Sequence, residues 1–410
     1  ARLPERGVAV RIAVPRFDAD AWKALADGDS GGRSGMKLPA LDSVSIRTPL
    51  LRLMGRDFTD VDSELRPRDD GWQITLGMQE AAGDVFWRSA GEGSLDGRLR
   101  RLVVRPAAEA TDSSGATLIN SLPAMNLRVD DFRLGDRALG HLDLRAHNDQ
   151  GAWRLETLNL QNPDGALNGK AVWRNEAGRH QTRLDFDLTA SDVGKLLTRL
   201  GYVDAIRRGT ARLTGNVRWN GPLTAIHYPS LTGEMTVSAE NGQFNKLDPG
   251  VGRLLGLISL QSLPRRLTLD FRDIFSEGLA FDSIEGRTAM TAGVMRTAGP
   301  LRINSPAALI EIEGEADLKN ETQNLQVLVR PQVGSVAAIG AATLVNPIAG
   351  AAALVAGAAA LVASTILRNP LGRLFSYRYH VTGSWSDPRV EKVGEFVQEA
   401  PPGAAGGGRQ

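Results

Sequence analysis

Apolar and polar residues alternate along most of this chain, the period of half-buried β-strands. Val8, Val10, Ile12 and Val14 alternate against Ala and Arg; Val44 with Ile46, Leu51 with Leu53, and Trp72 with Ile74 and Leu76 do the same. Leu127 and Val129, Phe132 and Leu134, and Leu142 and Leu144 continue the pattern, as do Leu155, Leu158 and Leu160 after one slip. Each run is short and ends in Gly, Asp or Asn, the punctuation of an antiparallel meander. The polar, Gly-rich stretch Asp27–Lys37 is predicted as a loop. No helical segment of crossover length separates the runs, so a parallel α/β fold is not expected.

Arg183–Ala190 is predicted as a strand, apolar at Leu184, Phe186 and Leu188. The period then changes. Val193, Leu196, Leu197 and Leu200 stand at helical spacing, with Ser191 as the predicted N-cap and Gly201 as the stop. Ala211–Trp219 returns to alternation, and Val251–Leu260, before Pro264, reads as a second helical or irregular stretch. Leu267, Leu269 and Phe271 follow, then Ile303, then Ile310 and Ile312 against Glu311 and Glu313, then Leu325, Val327 and Val329. Each of these strands has one apolar and one polar face. Two short helices are too few to cover so much apolar face. A closed sandwich, a barrel, or a groove filled by something other than polypeptide remain.

From Pro331 to Leu367 there is no charged residue, between Arg330 and Arg368. The stretch divides at Asn346-Pro347. Val333–Val345 is too short to cross a bilayer as a helix, whereas Ile348–Leu367 has about the 20 residues that a ~30 Å hydrocarbon core requires. A single crossing would place the predicted strand Tyr377–Trp385 on the far side of the membrane from its sheet. A helical hairpin is therefore predicted, with Ile348, Leu354, Val355, Leu361, Val362, Ile366 and Leu367 as its membrane-contacting residues. An Ala-rich hairpin packed on the protein itself is the alternative.

Composition narrows the chemistry. Net charge is +1, from 48 basic and 47 acidic residues, so no long-range field favours nucleic acid. Cysteine is absent, which excludes disulfides, thiolate catalysis and Cys-ligated metals. His141, His147, His180, His227 and His380 fall in no metal-ligating spacing. Gly250, Gly252 and Gly256 miss the dinucleotide-loop spacing, and Asp248-Pro249-Gly250 beside Arg253 reads as a turn. Glu311 and Glu313 read as a polar outer face rather than paired catalytic carboxylates. No enzyme, cofactor or metal is expected. The chain starts at Ala1 without a leader-like segment, which reads as a fragment or processed chain.

One region carries a family resemblance. It rests on Leu231-Thr-Gly233-Glu, Glu240-Asn-Gly242-Gln-Phe244, Asp248-Pro249-Gly250-Val-Gly252-Arg253-Leu254-Leu255-Gly256-Leu257, Leu260-Gln-Ser-Leu263-Pro264-Arg265-Arg266 and Leu269-Asp270-Phe271-Arg-Asp273-Ile-Phe275-Ser-Glu-Gly278. Together with Leu197–Trp219 upstream and Tyr379–Pro388 downstream, these residues resemble the C-terminal AsmA-like region of the YhdP family. The likeness covers about 190–391.

The resemblance implies a mainly β fold, a long twisted antiparallel sheet curled into a repeating β-groove, with a few short helices and the Ala-rich hairpin. It implies the AsmA-like module over 190–330, the hairpin over 331–368 and a returning strand over 369–395. Strand pattern alone assigns β-groove repeats to 1–189, and the Pro- and Gly-rich end reads as a flexible tail over 396–410. Phospholipid is the implied cargo, its acyl chains in an apolar trough lined by Leu184, Phe186, Leu188, Leu267, Leu269, Phe271, Ile310, Ile312, Leu325, Val327 and Val329. The implied setting is the periplasm of a Gram-negative envelope. An upstream helix outside this sequence would anchor the chain in the inner membrane, and 331–368 would meet the outer membrane or its proteins. A scaffold with a closed β core that binds envelope partners is the other reading.

Overall fold

A computed structural model describes residues 7–22, 41–53, 55–89, 93–105, 122–149, 151–176, 179–223, 225–245, 278–332 and 376–396. The predicted loop 27–37, the stretch Val251–Leu260, Leu267, Leu269, Phe271 and the whole of the predicted hairpin lie outside those residues. Two compact units emerge. Unit 1 comprises Ala1–Thr189, Arg199–Gly201 and Asn216–His227; unit 2 comprises Ala190–Thr198, Tyr202–Gly215 and Tyr228–Gln410.

Unit 1 is strand after strand. In chain order these are β1 (Val8–Ala13), β2 (Arg16–Asp18), β3 (Leu41–Leu53), β4 (Arg56–Arg68), β5 (Gly71–Gly77), β6 (Ala81–Arg88), β7 (Ser94–Val104), β8 (Ala124–Leu134), β9 (Arg137–Asp149), β10 (Ala152–Asn162), β11 (Gly165–Glu176) and β12 (Arg179–Ala190). β3 through β7 and β8 through β11 pair antiparallel with their neighbours in sequence, the meander that the alternation predicts. The sheet is nevertheless mixed: β1 and β2 both pair parallel with β3, and β7 pairs parallel with β8. Antiparallel neighbours need only a tight turn, but a parallel pair needs a long return. The 19 residues between Val104 and Ala124 are long enough to supply one.

Alternation slips where a strand carries an extra residue. Val129 pairs with Leu142 and Phe132 with Gly140, so Asp130 and Asp131 together face His141 alone. This bulge keeps Phe132 on the apolar face despite the odd spacing from Val129. Gly140 itself has φ +104, and a Cβ there would overlap the carbonyl oxygen of Gln161 on β10. Only glycine fits there.

Between the long strand runs stands α1 (Val193–Arg199). Asp192, rather than Ser191, is the cap: its Oδ1 accepts the Lys195 amide at 3.0 Å while its carbonyl accepts the Leu196 amide at 3.0 Å. That hydrogen bond, chiefly, holds the Asp192 carboxyl below the usual carboxylate range. Gly201 ends the helix as predicted, at φ +93, with the Tyr202 amide donating back to the Leu197 carbonyl at 2.8 Å.

The next strand, β13 (Ile206–Asn220), is divided between the units after Gly215. Unit 2 continues with β14 (Thr232–Phe244), β15 (Leu279–Thr291), β16 (Val294–Thr297), β17 (Leu301–Asn304), β18 (Ala308–Asp317), β19 (Thr322–Pro331), β20 (Ser376–Ser384) and β21 (Pro388–Phe396). All its pairings from β14 to β21 are antiparallel. Ala292 and Gly293 join β15 to β16 with both φ angles positive, the signature of a tight two-residue hairpin. β16 and β17 act as one interrupted strand, since both lie between β15 and β18. The predicted single returning strand is a hairpin, β20 and β21, turned by Trp385-Ser386-Asp387.

Candidate functional site

The two units dispose of their apolar faces differently. In unit 2 the register stacks the apolar positions of one strand directly on those of the next. Ile284 faces Ile303, Ile303 faces Ile310, and Ile310 faces Val329. A parallel row runs Leu301, Ile312, Val327, Tyr379. Ile303 and Ile310 are 0% exposed and Ile312 1%, within one cluster that includes Phe244, Phe281, Tyr379 and Val381. Of the groove-lining residues expected from sequence, Ile310, Ile312, Leu325, Val327 and Val329 all sit in this cluster. They form a sealed core.

The face of unit 1 is not sealed. Its apolar line crosses from Ile74 to Val85 on β5 and β6, then to Leu95 and Leu99 on β7 and Val129 on β8. Leu142 and Leu144 on β9 and Leu158 and Leu160 on β10 carry it on. Val85, Leu99, Val129 and Leu142 are buried, but Ile74, Leu76, Leu95, Leu102, Phe132, Leu144, Leu158 and Leu160 are only partly so. A second patch around Ala146, Trp153, Leu155 and Ala171 shares Leu144 and Leu158 with the first, so the two are continuous. Leu184 packs against that second patch, and Phe186 and Leu188 beyond it are half-buried. These three are the sequence-expected lining residues that the structure places on a partly open face.

The opposite face of unit 1 is polar and self-satisfied. Cross-strand partners Arg47 and Asp62 form an ion pair at 2.7 Å, and Arg128 and Asp143 lie 3.6 Å apart. Thr75 donates to Asp84 at 2.8 Å, Arg88 pairs with Asp96 at 2.7 Å, and the Asn126 amide donates to Asp96 at 3.1 Å. Asp70 and Asp96 together raise the pKa of the Arg88 guanidinium, Asp70 contributing most. Such ladders suit a face that meets water.

Sequence reasoning missed a third feature. Trp72 stands directly opposite Trp87, and Trp153 opposite Trp173. All four lie on the apolar face near one end of their strands, two residues from Ile74, Val85, Leu155 and Ala171 respectively. Trp219, near the end of β13, is 2% exposed. Alternation already places Trp72 with Ile74 and Leu76, and Trp153 two residues before Leu155 carries the same signal. Val85-Phe86-Trp87 and Ala171-Val172-Trp173, by contrast, are unbroken apolar runs whose faces alternation does not assign. Which tryptophans meet across strands depends on register, which alternation does not supply.

Among the described residues there is no cluster of His, Asp or Glu that could hold a metal, and no helix long and apolar enough to cross a membrane. Asp248, Arg253 and the other turn residues singled out from sequence lie outside the described residues. Glu311 accepts ion pairs from Arg302 at 3.2 Å and Arg330 at 2.8 Å, the polar-face role expected of it.

Comparison with known proteins places these features in a family. The family model described as YhdP protein matches residues 1–390. The intermembrane phospholipid transporter YhdP of Escherichia coli (strain K12) is 23% identical over 402 residues, covering 95% of this chain. The chain spans 31% of that relative's length. No solved structure matches it.

Proposed function

This chain belongs to the YhdP family, and from that premise we propose that it carries phospholipid between the inner and outer membranes of a Gram-negative envelope. Unit 1 is the carrying surface. Acyl chains lie on its apolar face, from Ile74 through Leu95, Phe132, Leu144 and Leu158 to Leu184, Phe186 and Leu188. One observation carries this reading: a continuous apolar row crosses that face and stays only partly buried. Contiguous apolar surface left uncovered on a protein marks a place where something else binds. Each methylene of an acyl chain laid there contributes about 0.8 kcal/mol, which offsets much of the cost of leaving a bilayer. The polar opposite face keeps the carrier soluble in an aqueous compartment, which we take to be the periplasm. Inner-membrane anchoring and outer-membrane contact belong to the same proposal, the latter through residues 331–368. The chemistry needed is binding and release, with no bond made or broken.

Unit 2 favours a different role for itself. Its apolar face is filled by its own side chains, so it suits a closed module that docks to a membrane or an envelope partner rather than a stretch of lipid path. Photocrosslinking in cells tests both assignments together. A photoreactive residue at Leu158 should label phospholipid, and one at Ile312 should not. Purified chain should also carry phospholipid detectable by mass analysis. Failure of Leu158 to label, with lipid-free protein, removes the transport reading and leaves the scaffold.

A further inference from the structure

We infer that Trp72 and Trp87 mark the headgroup side of the lipid path on unit 1, so that bound phospholipids lie with their glycerol esters and phosphates at this edge and their tails toward the far ends of β5, β6 and β7. The inference rests on the carrying role proposed above and specifies the lipid's orientation within it.

Three observations converge. First, the two indoles are directly opposed in register on the apolar face and both are half-buried. Along β5 the same face proceeds from Trp72 to Ile74 to Leu76, so it grades from amphipathic to aliphatic. An indole has a large apolar body and one N–H donor, which suits it to the level where acyl chains give way to esters.

Second, the other indoles at this end have already spent their donors. Trp153 donates to the Pro123 carbonyl at 3.4 Å, and Trp173 to His180 Nδ1 at 3.2 Å. Trp219 donates to the carbonyls of Pro222 and Ala225 at 3.1 and 2.9 Å. All three are 6% exposed or less. Neither Trp72 nor Trp87 has an indole N–H partner among the described residues, so these two alone of the five offer a donor to an ester or phosphate oxygen.

Third, the room is adequate. In-phase positions on β7 run from Leu95 to the strand end at Val104, roughly 30 Å at about 3.3 Å per residue. One leaflet's acyl chains occupy about half of a ~30 Å hydrocarbon core. A chain that starts at the indole edge can therefore lie along the strands without leaving the sheet. Arg88, next to Trp87 in the chain, is on the polar face and pairs with Asp70 and Asp96. The two indoles are neutral donors, so their own discrimination between headgroups is weak.

Tryptophan emission tests the orientation. The full chain is loaded with phosphatidylglycerol that bears a nitroxide either on the headgroup or at the methyl end of an acyl chain. The readout is the part of the quenching that disappears in a Trp72→Phe/Trp87→Phe variant, which keeps the aromatic packing and removes both N–H groups. The expected result is that the headgroup label quenches this part more strongly than the chain-end label, with parent and variant compared at equal bound lipid measured by mass analysis. Stronger quenching by the chain-end label overturns the orientation, as does a quenching pattern that the double substitution leaves unchanged. If neither label quenches because no lipid is taken up, the carrying role itself falls with it.

Discussion

The Arg199 guanidinium grips Asp164 through one carboxylate oxygen, donating from Nε at 3.0 Å and from Nη2 at 2.6 Å, while its Nη1 donates to the Ala138 carbonyl at 3.1 Å. Asp164 lies in the β10–β11 turn with its side chain only 10% exposed, and Ala138 is at the start of β9. One cation therefore ties together two places in the meander that are about 25 residues apart. Removing it leaves a nearly buried carboxylate without a partner. Arg199→Ala should destabilise unit 1 by about 2 kcal/mol. A double-mutant cycle with Asp164→Ala, followed by urea unfolding, should return a coupling energy of about 1–2 kcal/mol. Additive single effects would show that the pair does not act as one.

Exposed ladders should behave otherwise. Arg47 and Asp62 are 75% and 64% exposed in their side chains. Arg47→Ala is expected to change stability by less than about 0.5 kcal/mol, and less again at high salt. The same denaturation experiment supplies the comparison.

Capping of α1 gives a pH-dependent prediction. The Asp192 carboxyl is held below its ordinary value, first by the Lys195 amide. A depressed folded pKa stabilises the folded state above the ordinary aspartate pKa of about 3.9, and this contribution is lost as pH falls through the folded value. Asp192→Ala should therefore cost about 1 kcal/mol at neutral pH. The difference from the parent chain should shrink below about pH 4. A cost independent of pH would assign the effect to something other than the charged cap.

Gly314 sits in β18 at φ +139, where a Cβ would overlap the carbonyl oxygen of Asn324 on β19. Gly314→Ala forces either the backbone out of that region or the strands apart. A loss of about 1–3 kcal/mol is expected, measured as a shift in the unfolding midpoint.

The contrast between the units predicts opposite phenotypes for equivalent truncations. Ile310→Ala opens a cavity in a sealed core and should cost about 2–5 kcal/mol. Leu158→Ala removes a side chain that is partly exposed, and should cost less stability while lowering bound phospholipid. Lipid mass analysis beside thermal unfolding separates the two. If Ile310→Ala is the variant that sheds lipid, the path runs through unit 2.

Much of the fold was legible in the chain because β-strand side chains alternate with a fixed period of two. Leu184, Phe186 and Leu188 could be assigned to one face of a strand without coordinates, and so could Ile310 and Ile312. Helix α1 was visible in its spacing and in Gly201, which alone tolerates the left-handed stop. Its cap was misread by one residue, because Ser191 and Asp192 are both good acceptors and only the backbone path selects between them. The parallel pairing of β7 with β8 was hidden, since alternation states which residues share a face and is silent on which strand comes alongside.

What the sequence determined by itself is amphipathicity: strands with one greasy and one wet side, and turns placed by Gly, Asp and Asn. What only the tertiary structure decided is whether each greasy side finds a partner. Ile310 and Leu158 are indistinguishable as in-phase apolar positions, yet one is sealed and the other half-open. The physical reason is that burial is a property of what packs opposite a face, set by register and curvature between residues far apart in the chain. Local pattern carries no information about that distance.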